Sequence, residues 1–90
     1  MPVEPRKRLR PPTTPGAFLV EEFLKPLNMS QETFAERIGV SAEFLSEIVD
    51  GRRGVTEEMA TRFEAVLGMP ARFWMRAQSV CDLWSAEQAA

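Results

Sequence analysis

The sequence contains no histidine, no tyrosine and a single cysteine, Cys81, among its 90 residues. One thiol cannot form an internal disulfide, and a zinc site needs several cysteine or histidine ligands, so neither feature is expected. A hydrolase triad would also lack the imidazole that serves as its general base. The remaining carboxylates and lysines show no pairing that indicates chemistry. We therefore predict that the protein is not an enzyme and uses no metal or other cofactor.

Long hydrophobic runs are also missing. No apolar stretch approaches the ~20 residues that span a bilayer, and the first residues lack the apolar segment of a signal peptide. We therefore expect a cytoplasmic protein with no membrane partner. The chain is 44% hydrophobic and 27% charged, which is typical of one small globular domain.

Positive charge is scarce over most of the chain. Four of the eleven basic residues lie between positions 6 and 10, and from Thr13 onward seven basic residues accompany twelve acidic ones, a net charge of −5. A nucleic-acid partner would therefore need a local basic patch. Residues 1–14 are rich in proline, which predicts a flexible extended arm. Its basic side chains either form a solvated tail or follow phosphates.

Residues 15–87 carry the pattern of five helices, which predicts an all-α fold. Apolar residues recur at helical spacing throughout, and no strand-like alternation interrupts them. Short polar residues, or proline, stand where the helices should begin, and glycine stands where three should end. The predicted starts are Pro15, Ser30, Ser41, Thr56 and Pro70, and the predicted ends are near Leu27, Gly39, Gly51, Gly68 and Glu87.

The second and third predicted helices have the proportions of a helix-turn-helix. Ala35 lies four residues before Gly39, and a small side chain there lets two helices approach closely. Val40 can fill the angle between them, and Ile48 can reach the core from the third helix. In this motif the second of the two helices enters the major groove of DNA with its N-terminus first.

Candidate DNA-binding residues follow from this geometry. Gln31 begins the first helix of the motif and would meet a phosphate, and Ser41 would either bind phosphate or only cap the next helix. Arg52 and Arg53 follow the helix that would enter the major groove, here called the reading helix, and could bind phosphates that flank the groove. Alternatively, they could belong to a solvated loop. The outward face of the reading helix carries Ala42, Glu43, Ser46 and Glu47.

The two carboxylates on this face are unexpected in a protein that approaches a polyanion. Glu43 and Glu47 lie four residues apart and so share one helix face. They could accept a hydrogen bond from cytosine. Alternatively, Glu43 could turn away to pair with an arginine, or DNA binding could be weak. Phe44 lies beside this face, and we favour core packing over contact with a thymine methyl group or a partner.

Taken together, the helix-turn-helix pattern and the arginine-containing loop that follows it resemble the lambda-repressor-like (XRE) helix-turn-helix family. The longer segments PGAFLVEEFLKPLNMSQETFAERIGVS and VLGMPARFWMRAQSVCDLW are similar to the HigA/VapI group of antitoxins. The resemblance covers about residues 15–84 and implies a five-helix lambda-repressor-like domain. The chain differs from many members in having Ala42 and Glu43 where arginine or another polar donor is common. It also has Cys81 where an aromatic residue is common.

The resemblance implies an antitoxin of a type II toxin-antitoxin system. Such proteins bind and neutralise a HigB/RelE-like toxin that cleaves mRNA, and as homodimers they bind double-stranded operator DNA to repress their own operon. The resemblance places the dimer interface on the fifth helix, at Phe73, Trp74, Leu83 and Trp84. Two alternatives are a stand-alone phage-type repressor and a toxin-binding module with little DNA binding.

Overall fold

The computed structural model describes residues 11–89, which form five helices and no strand. This confirms the predicted all-α fold. The basic residues of the predicted arm, at positions 6–10, lie outside the described residues. Helix α1 comprises three consecutive segments, Pro15–Leu19, Val20–Leu24 and Lys25–Leu27. The others are α2 (Gln31–Ile38), α3 (Ala42–Val49), α4 (Glu57–Leu67) and α5 (Ala71–Ala89).

Each helix cap that involves a hydroxyl has the geometry that its residue type favours. The side chains of Thr14, Ser30, Ser41 and Thr56 each accept a hydrogen bond from the backbone N–H three residues later. These bonds satisfy N–H groups that have no partner within the helix. The starts and ends of the helices therefore follow from local sequence, and α5 continues two residues past the predicted end.

The middle segment of α1, Val20–Leu24, is π-helical, which the sequence did not predict. An α-helix would bring the ring of Pro26 against the carbonyl of Glu22, four residues earlier. The wider turn changes the hydrogen-bond register just before this proline, so the helix continues to Leu27. Asn28 then ends it in the left-handed conformation, with φ of 54°.

An aromatic cluster forms one side of the core. Trp74 is fully buried, and its ring centroid lies 5.0 Å from that of Phe63 and 5.2 Å from that of Phe73. Phe18 and Phe23 of α1 each lie 5.8 Å from the same indole. Trp74 thus joins α5 to α1 and α4. Because it exposes no surface, our prediction that Trp74 contacts a second subunit is wrong.

Candidate nucleic-acid interface

Helices α2 and α3 form the predicted helix-turn-helix. Gly39 takes the left-handed conformation, with φ of 79°, while Val40 N donates to Ala35 O and Gly39 N donates to Glu36 O. This pair of bonds is the Schellman arrangement that ends a helix sharply. Ala35 is buried at the junction and Val40 packs against the core. The turn therefore fixes the direction in which α3 leaves α2.

Arg62 of α4 supports this turn from behind, a contact that the sequence did not reveal. Its Nη1 donates to the Ile38 carbonyl over 2.6 Å, and its Nη2 donates to Glu58 over 2.9 Å. A Cβ at residue 39 would lie only 2.9 Å from that Nη1. Glycine is therefore favoured at residue 39 by its left-handed backbone conformation, whereas a Cβ there would only displace the end of the Arg62 side chain.

The first turn of α3 is open to solvent. Ser41, Ala42 and Glu43 are exposed, and no described part of the chain covers them. The hydroxyl of Ser41 accepts from Phe44 N over 3.0 Å, so it caps the helix as predicted. The first N–H groups of a helix have no acceptor within it, and at the exposed residues Ala42 and Glu43 an anion could accept from them. The N-terminal end of α3 is thus free to approach a ligand.

The other predicted contact residues lie at different depths. Gln31, Ser46 and Glu47 are partly exposed, whereas Arg52 and Arg53 are exposed. Gln31 begins α2 beside a hollow that is also lined by Lys25 and Ser30. The fold places all eight predicted positions on α2, on α3 with its cap, or on the loop after α3. Whether each of them contacts DNA stays a prediction.

The loop after α3 is folded back against the helix by its backbone. Gly51 has φ of 79°, Gly51 N donates to Ile48 O, and Arg52 N donates to Glu47 O. This is a second Schellman arrangement, and Arg53 N also donates to Glu47 O. The loop therefore has a defined position, and both arginine side chains start close to α3.

Both arginines form ion pairs on the surface. Arg52 Nη2 lies 3.2 Å from a carboxylate oxygen of Asp50, and Arg53 Nε lies 2.7 Å from Glu47 Oε1. Exposed pairs of this kind contribute only ~0–1 kcal/mol, so a phosphate could compete with either carboxylate. Of the two glutamates on the outward face of α3, Glu47 pairs with an arginine, and Glu43 forms no such pair with the described residues.

Phe44 contributes to both the core and the surface. It is partly buried and packs against the core, which agrees with the interpretation that we favoured. The exposed side of its ring carries the guanidinium of Arg53, whose Cζ lies 4.5 Å from the ring centroid. Such a cation–π contact stabilises by about 0.5–1 kcal/mol at an exposed site. Arg53 therefore has two partners on α3.

Gln78 of α5 holds the same loop from the opposite side. Its Oε1 accepts from Val55 N over 2.8 Å, and its Nε2 donates to Asp82 over 2.9 Å. A Cβ at Gly54 would lie 3.1 Å from this amide, so the loop approaches α5 closely. The signal in the sequence is only a glutamine one helical turn before an aspartate, which does not identify Val55 as the partner.

Two classes of site are absent from the described residues. Residues 11–89 contain no group of three or more potential ligands that could hold a metal ion. Within the same range, no helix has the length and apolar character needed to cross a membrane.

Comparisons with known proteins agree with this geometry. A helix-turn-helix family model, HTH_3, matches residues 20–74. Virulence-associated protein I of Dichelobacter nodosus is 36% identical over 88 residues, which cover 98% of this chain and 82% of that protein. Antitoxin HigA-1 of Vibrio cholerae is 36% identical over 80 residues, 88% of this chain and 74% of the relative.

A solved structure gives the same result. The antitoxin HigA of Pseudomonas aeruginosa, solved with the higBA promoter, has a TM-score of 0.83 and 36% sequence identity to this chain. The match covers 87% of this chain and 85% of the HigA chain. The protein therefore belongs to the XRE-type helix-turn-helix family, among relatives that include HigA antitoxins and virulence-associated protein I.

Proposed function

We propose that this protein is the antitoxin of a type II toxin-antitoxin pair and represses its own operon by binding operator DNA as a homodimer. The main support is the open first turn of α3, whose residues Ser41 to Glu43 are exposed at the end of a helix-turn-helix. Its relative HigA from Pseudomonas aeruginosa has been solved with a promoter. The second function is neutralisation of a HigB/RelE-like toxin that cleaves mRNA.

In the proposed complex, α3 enters the major groove and α2 crosses the phosphate backbone. Gln31 and the N-terminal N–H groups of α2 meet one phosphate, and Ser41 lies near another. Because the chain from Thr13 onward has a net charge of −5, the loop carrying Arg52 and Arg53 provides the local positive charge. Neither arginine is held so strongly by its carboxylate that it could not turn to DNA.

The first test is salt-dependent binding to the protein's own promoter. Arg52→Ala combined with Arg53→Ala should weaken binding to all sequences, and the slope of log K against log salt should fall by ~0.9 for each phosphate that is no longer neutralised. Arg72→Ala plus Arg76→Ala makes the same charge change on exposed positions of α5 and serves as the control. Unchanged affinity and slope in the first variant would contradict the docking model.

The proposed dimer uses the second half of α5. Leu83 is 65% exposed and Val80 is 36% exposed, and with Trp84 they occupy positions i, i+3 and i+4 on one helix face. A second subunit would cover this apolar face. Phe73 is better placed in the core, since its ring lies 4.8 Å from that of Phe18.

A two-fold dimer would present two copies of α3 about 34 Å apart to a palindromic operator.

Toxin neutralisation is tested separately, by co-expressing the chain with its neighbouring gene and scoring rescue of growth. Rescue without promoter binding would favour the alternative of a toxin-binding module, which the acidic charge and the paired arginines support. Promoter binding without a toxic neighbour would favour a stand-alone repressor.

A further inference from the structure

We propose that Glu47 is a positioning residue that orients Arg53 to read one guanine in the major groove. The inference rests on the proposed DNA-binding function and changes the role of Arg53 from phosphate contact to base reading. It also explains why a carboxylate lies on the reading helix. The carboxylate would serve the protein's own guanidinium instead of contacting a base itself.

The orientation of Arg53 carries the first step. Its side chain starts in the loop after α3, yet its guanidinium lies over the ring of Phe44, in the first half of that helix. Phe44 precedes Glu47 by three residues, about one helical turn. The positive charge is therefore moved from the loop toward the end of α3 that is open to solvent. With 48% of the side chain exposed, Arg53 remains accessible there.

The atoms used by Glu47 carry the second step. Its Oε1 accepts from Nε of Arg53, at 2.7 Å, and no bond from either terminal nitrogen of that guanidinium is formed with the described residues. The terminal nitrogens form a planar fork that matches O6 and N7 of guanine. The Phe44 ring restricts the plane of the fork, and the Nε bond restricts its rotation. The side chain then gives up less entropy when DNA binds.

For Glu47→Ala, the loss of negative charge and the loss of Arg53 orientation predict opposite changes in operator affinity. Glu47→Ala removes a negative charge near DNA, so electrostatics alone predicts tighter binding to every sequence. If Glu47 orients Arg53, operator binding should instead weaken, by roughly 3- to 10-fold, because the bidentate hydrogen bonding to guanine becomes less favourable. Glu43 offers a matched control. It lies one turn earlier on the same face, is exposed, and forms no ion pair with the described residues.

The experiment measures operator and random-sequence affinities for the wild type, Glu43→Ala, Glu47→Ala, Arg53→Ala and the double variant Glu47→Ala with Arg53→Ala. We expect Glu43→Ala to bind both DNAs more tightly, and Glu47→Ala to bind the operator less tightly. Once Arg53 is absent, Glu47→Ala should tighten binding. Arg53→Lys should retain most of the salt slope but lose the preference for the operator.

Replacing the operator guanines one at a time by 7-deazaguanine, which lacks N7, locates the base. At one guanine in each half-site, the replacement should weaken the wild type and have little further effect on Arg53→Ala. If every guanine affects both proteins equally, the guanine assignment is wrong. If Glu47→Ala tightens operator binding as Glu43→Ala does, the positioning role is wrong. A wild type that does not prefer its operator would instead overturn the proposed function.

Discussion

The close crossing of α1 and α3 predicts that Gly16→Ala destabilises the protein through steric overlap, although alanine is favoured over glycine in a helix. Gly16, in the first turn of α1, lies against the last turn of α3. A Cβ built on residue 16 would be 2.1 Å from Ile48 O and 2.7 Å from Val49 Cα. Both atoms belong to backbone, so no side-chain rotation can relieve the overlap. Gly16→Ala should therefore push α1 away from α3 by about 1 Å, since non-bonded carbon and oxygen atoms need a separation of roughly 3 Å or more.

The expected magnitude follows from two opposing terms. Forcing an extra methyl group into a packed contact costs typically ~1–3 kcal/mol, and immobile backbone atoms place this case near the upper end. Alanine is favoured over glycine in a helix by roughly 0.5–1 kcal/mol. The net prediction is a decrease of ~2 kcal/mol in the free energy of unfolding. For a domain of this size, each kcal/mol lowers the melting temperature by about 4–8 °C.

Urea denaturation and thermal melting at one fixed protein concentration would measure this decrease. Ala17→Gly is the control, because it reports the alanine–glycine difference in the same turn at a position that is only partly buried. If Gly16→Ala instead stabilised the protein by the amount that Ala17→Gly destabilises it, helix preference would dominate. The close approach of α1 to α3 would then be refuted.

Two further predictions concern α5. Gln78→Ala leaves Val55 N without its acceptor, so the free energy of unfolding should decrease by ~1–3 kcal/mol. Operator affinity should also fall, because the loop that carries Arg52 and Arg53 becomes less fixed. Unchanged values of both quantities would show that Gln78 does not hold this loop. The double variant Leu83→Asp with Trp84→Ala should dissociate the proposed dimer, as measured by analytical ultracentrifugation. The control Leu27→Asp changes a residue of α1 that is 55% exposed and should leave the dimer intact. If the double variant stays dimeric, the interface lies elsewhere.

The boundaries of the helices could be predicted because their causes are local. Ser30 and Ser41 each accept from an N–H three residues away, and Gly39 and Gly51 each take a left-handed conformation that glycine adopts easily. These effects depend on neighbouring residues alone. The buried face of α2 was predictable for the same reason, because its apolar residues recur at helical spacing. Those residues are Phe34, Ala35 and Ile38.

The contacts that position the candidate interface depend on distant residues and were not predictable. Arg62 lies 24 positions from the carbonyl that it contacts, and Gln78 lies 23 positions from Val55. Helical spacing placed Trp74 on an apolar face, but that pattern is the same for a core and for a subunit interface. Only the packing of four phenylalanine rings around the indole assigns it to the core; these are Phe18, Phe23, Phe63 and Phe73.

The loop after α3 is held by both α3 and α5, so DNA binding should depend on formation of the proposed dimer. The carbonyl and carboxylate of Glu47 hold it from α3, while Gln78 holds it from α5. Leu83 lies five residues after Gln78 on the same helix, where the proposed partner subunit would bind. A small displacement of α5 by that partner would therefore act on Val55 and, through it, on the backbone that carries Arg53. The position of the guanidinium would then depend on the assembled dimer as well as on the sequence of α3.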